Sequence, residues 1–206
     1  MTAYGYAAAL AALLTLSLAG AAHAQIGATP FTPAPTQAPG SPASAPVPAG
    51  APEVRNADRL NRQGEHEQAL SQVEAYLKTH PDDPAGRFLR GVILTDLGRN
   101  QEALEVFRQL TIDHPELEQP YNNMGVLYAQ SGQLQRARQS LEQAVQANPQ
   151  SALALENLGD IYARLAEETY EKATTIDTAN RAVRSKLALA RNLANAAAGT
   201  AAPASH

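Results

Sequence analysis

The chain has 206 residues, 44% of them apolar, no cysteine and a formal net charge of −4. These values exclude disulfides, thiolate metal sites and a cysteine nucleophile, leave no cysteine for lipid attachment, and give no clustered positive surface for nucleic acid or anionic lipid. All 20 acidic and 16 basic residues lie between Glu53 and Arg191, which marks that stretch as the folded, solvated body with uncharged ends on either side.

Residues Ala7 to Ala22, AAALAALLTLSLAGAA, form an apolar run suited to a signal-peptide core and diluted for a membrane span by Ala, Gly, Ser and Thr. Ala22-His23-Ala24 supplies the small residues a signal peptidase requires, which predicts a signal peptide over 1–24, cleavage after Ala24 and export to the periplasm. Met1 to Tyr6 holds no Lys or Arg, a departure from the pattern that leaves an uncleaved anchor as the alternative and the only expected route to a membrane. Residues 25–52 carry Pro30, Pro33, Pro35, Pro39, Pro42, Pro46, Pro48 and Pro52 among small residues. Each proline removes a backbone donor and disfavours helix before it, so this segment is predicted to be a disordered, semi-stiff linker.

The body, 53–196, is periodic. Pro81, Pro115 and Pro149 are 34 residues apart, as are Gly91, Gly125 and Gly159 (with Ala57 ahead of them), Gly64, Gly98 and Gly132, and Ala69, Ala103 and Ala137. In a pair of antiparallel helices each series has a task. Small residues at 57, 91, 125 and 159 let a second helix approach closely. Gly64, Gly98 and Gly132 end the first helix where a left-handed turn is needed, the alanines seat the second helix, and the prolines stop it. Leu60, Leu94, Tyr128 and Tyr162 on first helices, with Val73, Phe107 and Leu141 on second helices, fill the space between.

These residues resemble the tetratricopeptide repeat, of the small exported bacterial type. The third copy carries the pattern most fully, in Tyr121, Met124-Gly125, Tyr128, Gly132, Ala137, Leu141, Ala144 and Pro149. The resemblance implies an all-α, right-handed helical-hairpin solenoid of about 3.5 repeats, near 53–81, 84–115, 118–149 and 152–178, closed by a capping helix over 179–196 and followed by a disordered tail over 197–206. The fourth copy begins with Leu155, Leu158-Gly159 and Tyr162 and then loses its turn glycine. Leu158, Tyr162, Leu165, Thr169, Ala173 and Ile176 keep a helical spacing, which predicts one long helix, with a shortened hairpin as the alternative. Asp177 and Thr178 are the candidate N-caps of the final helix, whose Val183, Leu187, Leu189 and Leu193 are expected to cover the open end of the stack.

No HExxH, GxSxG or phosphate-cradling glycine loop occurs, and His66, His80 and His114 form no cluster in sequence, so no catalytic site, metal or cofactor is expected. The acid pairs Asp82-Asp83 and Glu167-Glu168 read as helix charge and solvation. The resemblance instead implies a concave groove, lined by first helices, that binds an extended peptide or a partner helix. Its alignment places Asp58, Asn61 and Arg62, then Phe88, Val92, Thr95 and Asp96, then Asn122, Asn123, Val126 and Gln130, then Glu156, Asn157, Asp160 and Arg164 on that groove. The asparagines suit a clamp on a peptide backbone, because an amide both donates and accepts, although satisfying neighbouring loops is the alternative use. Phe88 and Val92 suggest a hydrophobic anchor on the partner. The expected function is a protein-interaction module or adaptor of the cell envelope. The alternative is a self-associating scaffold in which the last helix pairs with another copy.

Overall fold

The computed structural model describes residues 50–200, with side chains to Ala197; the expected signal peptide, all but the last residues of the linker, and 201–206 lie outside the described residues. The described residues form eight α-helices and no strand: α1 (Pro52–Arg62), α2 (His66–Leu77), α3 (Pro84–Asp96), α4 (Asn100–Asp113), α5 (Glu118–Gln130), α6 (Leu134–Ala147), α7 (Ala152–Ile176) and α8 (Arg181–Thr200). Each helix packs on the next, and first helices also touch across the stack, α1 on α3 and α5 on α7. The architecture is an all-α helical-repeat solenoid.

Helix ends follow from local chemistry. Pro52, expected to finish the linker, instead opens α1, where its missing N–H costs nothing and its fixed φ suits the first turn. Asp83 caps α3 by accepting the Gly86 N–H at 2.7 Å, and Ser151 caps α7 by accepting from Ala154 at 3.2 Å. The three hairpin turns are alike. Gly64, Gly98 and Gly132 have φ of +83°, +72° and +74°, and the following amides of Glu65, Arg99 and Gln133 donate back to the carbonyls of Leu60, Leu94 and Tyr128 at 3.0, 2.8 and 2.8 Å. This is a Schellman closure, which satisfies carbonyls the helix end leaves open and which a side chain at the left-handed position would strain.

Packing explains the other series. A Cβ added to Gly91 would lie 2.5 Å from Phe107, and one added to Gly125 would lie 2.5 Å from Leu141. Phe107, Leu141, Val73, Ala69, Ala103 and Ala137 are fully buried. The fourth member departs from this. A Cβ at Gly159 would meet nothing within 4 Å, and Tyr162, expected in the core, is 47% exposed. The cause is α7, which runs unbroken for 25 residues, so the chain reverses only beyond Ile176 and no second helix returns along Gly159.

The returning helix α8 lies against α7, joined by Arg191 to Glu167 at 3.4 Å and to Glu171 at 2.5 Å. Its N-cap is Asn180, whose Oδ1 accepts from Val183 at 3.1 Å, and not Asp177 or Thr178. Asp177 is committed elsewhere, since its side chain accepts from Ala179 within the reversal. Leu187, Ala190 and Ala194 form the buried stripe, with Val183 half-buried, whereas Leu189 and Leu193 are 65% and 64% exposed and do not cover the stack. Helical phase is the reason: Leu189 sits two residues after Leu187, roughly 200° around the helix. The helix also continues to Thr200, into the segment expected to be tail.

Substituting Gly91→Ala or Gly125→Ala forces a methyl into Phe107 or Leu141 and is expected to cost about 1–3 kcal/mol. Gly159→Ala enters open space and is expected to stabilise α7 by about 0.5–1 kcal/mol through helix propensity. Thermal or urea unfolding of the three variants checks this opposition in sign.

Candidate partner-binding surface

The break in the repeat creates a cavity of about 590 Å³ where α5, α6, α7 and α8 converge. Gly125, Val126, Ala129 and Gln130 line it from α5, Leu141 from α6, Asn157, Asp160, Ile161, Arg164 and Glu167 from α7, and Ala194, Asn195 and Ala197 from α8. Helical spacing gathers them, since Asn157, Asp160 and Arg164 recur at i, i+3 and i+7, and Val126, Ala129 and Gln130 at i, i+3 and i+4. The space exists because several walls are small: Gly125, Ala129, Ala194 and Ala197 bring little side-chain volume. The lining combines an apolar floor with amides, two carboxylates and one guanidinium, a mixture that both buries and orients a guest.

Charge inside the cavity is partly committed. Arg164 donates through Nη1 to the Ala129 carbonyl at 3.2 Å, in the last turn of α5, where carbonyls lack helical partners and the helix dipole attracts a cation. Burial raises the Asp160 carboxyl above the ordinary aspartate range, and the negative Glu156 adds to the shift.

Of the residues expected on the groove, Val126, Gln130, Asn157, Asp160 and Arg164 come together at this cavity. The others do not. Phe88 and Val92 are 1% and 5% exposed and belong to the core, so they offer a partner no apolar patch. The reason lies in the position of α3, which packs on α1, α2 and α4 and buries eight of its residues; the Phe88 ring rests on Phe107 with centroids 5.7 Å apart. Asn61, Asn122 and Asn123 are buried too. Asn61 donates to Asp96 at 2.6 Å while its oxygen meets His66 at 2.7 Å, and Asn123 donates to the Gln119 carbonyl at 2.9 Å. Asn157 donates to Asn122 Oδ1 at 2.8 Å, leaving Asn122 Nδ2 buried without a partner. Asn61 to Asp96, Asn122 to Asn157 and Ala129 to Arg164 each join residues 35 apart. These polar groups tie one first helix to the next, so their capacity goes to the protein itself rather than to a peptide. Thr95 bonds the Gly91 carbonyl at 3.0 Å, Asp58 and Arg62 pair at 2.9 Å on α1, and Glu156 is exposed outside the cavity lining.

The sequence pattern missed Ala129, Ile161 and the α8 wall. The signal available for the wall was the run of small residues from Ala194 to Ala197, which lets a helix approach without filling the space. The histidines stay apart: His80 stacks on Tyr76 at 4.4 Å, His114 lies 3.5 Å from Glu116, and no group of three or more metal-ligating side chains occurs among the described residues. No helix among the described residues is long and apolar enough to cross a membrane.

Residues 58–181 match the family model described as Psidin, N-terminal TPR repeats region. The fold is similar to that of the first TPR domain of the human RPAP3 protein, 16% identical with a TM-score of 0.53 over 57% of this chain and 92% of that one. It is similar also to a thermophilic TPR protein in Thermus thermophilus, at 24% identity and a TM-score of 0.51 over 72% of this chain and 88% of that one. A third similar structure is the first TPR of Spaghetti (RPAP3) bound to the HSP90 peptide SRMEEVD, at 17% identity and a TM-score of 0.52 over 55% of this chain and 90% of that one. No curated protein matches the chain in sequence. At these identities the similarity is one of fold, and the bound peptide belongs to that protein.

An aspartate whose folded pKa is raised destabilises the native state above that pKa, and the penalty disappears as pH falls below the unfolded value. Asp160→Asn is therefore expected to raise the unfolding temperature at pH 7, with the difference from wild type fading toward about pH 4. Thermal melts of both proteins across this range check the sign and the convergence.

Proposed function

The chain belongs to the tetratricopeptide-repeat family, and on that premise we propose that it is a non-catalytic protein-interaction module of the cell envelope that holds a short polypeptide segment in the cavity between α5, α7 and α8. The observation that carries this reading is the cavity lining. Val126, Ala129 and Ile161 form a floor for one apolar side chain, while Gln130 and Asn195 bring amides able to donate to and accept from a peptide backbone. Glu167 is paired with Arg191 and Arg164 with the Ala129 carbonyl, which leaves the Asp160 carboxylate to meet a cation. The guest that fits carries a Lys or Arg beside its apolar anchor. A cavity of about 590 Å³ suits a few side chains of an extended segment rather than a whole helix.

Export is part of the proposal. It is supported by the apolar run Ala7 to Ala22, by Ala22-His23-Ala24, and by the proline-rich stretch that follows, which would hold the domain away from its point of attachment or give it reach.

Peptide display against the protein is expected to enrich segments with an apolar residue next to Lys or Arg. Val126→Glu, which places a charge on the floor, is expected to weaken such peptides at least about tenfold, or about 1.4 kcal/mol, with helical content unchanged. Peptides whose affinity ignores both Val126→Glu and Asp160→Asn would place the binding surface elsewhere. Separately, fractionation of expressing cells with N-terminal sequencing is expected to find the protein in the periplasm beginning at Gln25; retention in the cytoplasm with Met1 intact contradicts the export reading.

A further inference from the structure

Six large apolar side chains are exposed among the described residues, and five cluster at one end of the stack: Leu155, Tyr162 and Ile176 on α7, Leu189 and Leu193 on α8. The other end differs. There α1 turns Glu53, Arg55, Arg59 and Arg62 to solvent.

Two surfaces at the apolar end are complementary. On α7, Leu155, Gly159 and Tyr162 recur at i, i+4 and i+7 and form the strip that in the preceding repeats receives a second helix. Gly91 and Gly125 hold Phe107 and Leu141 at this position, whereas the space over Gly159 is open. On α8, the exposed Ala182, Leu189, Leu193 and Ala196 form a stripe on the side away from the buried Leu187, Ala190 and Ala194.

We propose that a second copy of this chain supplies the missing helix: the outer stripe of α8 in each copy lies on the Leu155, Gly159 and Tyr162 strip of the other, about a two-fold axis, forming a bundle of two α7 and two α8 helices. Three observations select this occupant. First, an apolar end cannot stack on the charged α1 end of another copy, so association of like copies closes end to end on itself instead of growing into a filament. Second, beyond the pairing of Arg191 with Glu167 and Glu171, α8 carries three cations and no carboxylate, whereas α7 carries three carboxylates and two cations, so α8 repels α8 and is attracted to the α7 of the other copy. Glu156, one turn before Gly159, stands beside the strip, and Lys186 stands one turn before Leu189; Glu142, which accepts from the Tyr162 hydroxyl at 3.0 Å, is already paired with Arg138 at 2.8 Å. Third, Gly159 on one helix and Ala182 and Ala196 on the other permit the close approach that the core already uses at Gly91 and Gly125. The stripe is about 20 Å long, so even with both reciprocal contacts the interface falls short of the ~800 Å² per partner of a standard complex, and the dimer is a micromolar one. It leaves Val126 and Gln130 uninvolved and is independent of what the cavity holds.

The test is sedimentation of the full chain from about 1 to about 300 µM, spanning the dissociation constants expected of so small an interface. A reversible monomer–dimer equilibrium is expected, weakened by salt. Leu189→Glu with Leu193→Glu, and in a separate protein Gly159→Leu, are each expected to be monomeric throughout with unchanged circular dichroism, since both sites are exposed. Mixing these two variants leaves one of the two reciprocal contacts intact and is expected to give association weaker than that of the unaltered chain. The absence of native cysteine allows a clean second readout: Gly159→Cys protein and Leu193→Cys protein are expected to join in a mixed disulfide. A chain that stays monomeric, a dimer that survives both variants, or Gly159→Cys and Leu193→Cys proteins that form no mixed disulfide overturns the proposal. Lipid-vesicle binding lost on Leu189→Glu with Leu193→Glu, without dimerisation, also overturns it and assigns the stripe to a membrane surface.

Discussion

The architecture depends on how near two helices come to each other inside one hairpin. At Gly91 and Gly125 the absence of a side chain brings the second helix so close that Phe107 and Leu141 occupy the place of a Cβ. Ala57 plays the same part in the first hairpin and is fully buried. The short separation lets Ala69, Ala103 and Ala137 seat against the first helices, and the Schellman turns reverse the chain within three residues so that the contact falls in the same register each time. No single hairpin buries enough apolar surface to offset the entropy of ordering it; cohesion comes from stacking.

Where that constraint lapses, the surface features begin. The fourth unit keeps its small residue but loses its turn glycine, and α7 continues for a further three turns before the chain comes back. The returning α8 meets a different side of α7. One consequence is the cavity beside Val126, Asp160 and Arg164; the other is the uncovered strip at Leu155 and Tyr162. A single irregularity in the repeat thus generates both the cavity proposed to hold a peptide and the strip proposed to receive a second copy.

The repeated hairpins were legible in the sequence because their steric demands fall on single positions and recur. A glycine that must have positive φ, or that must admit a ring, leaves a mark that periodicity amplifies. The candidate site was less legible. Alignment puts Phe88 and Val92 at groove positions, yet the side of α3 they occupy is covered by its neighbours, a fact set by the stacking of helices and not by residue type. The buried asparagines looked like ligand clamps because an amide gives no hint of whether its partner belongs to the same chain. The ties of Asn61 and Asn122 span 35 residues and arise only once successive first helices lie side by side. On α8 the pattern favoured the leucines, because apolar periodicity weights size, whereas the packed stripe relies on Ala190 and Ala194 beside Leu187.

The α8 wall of the cavity is held differently from its floor. Leu141 and Ile161 belong to the core, but α8 adheres through one leucine, two alanines and the exposed pairing of Arg191 with Glu167 and Glu171. Screened surface ion pairs contribute little, so the free energy of lifting α8 is far below that of global unfolding. The cavity therefore has one wall held less firmly than its floor, and amide exchange is expected to run faster along α8 than through the hairpins beneath it.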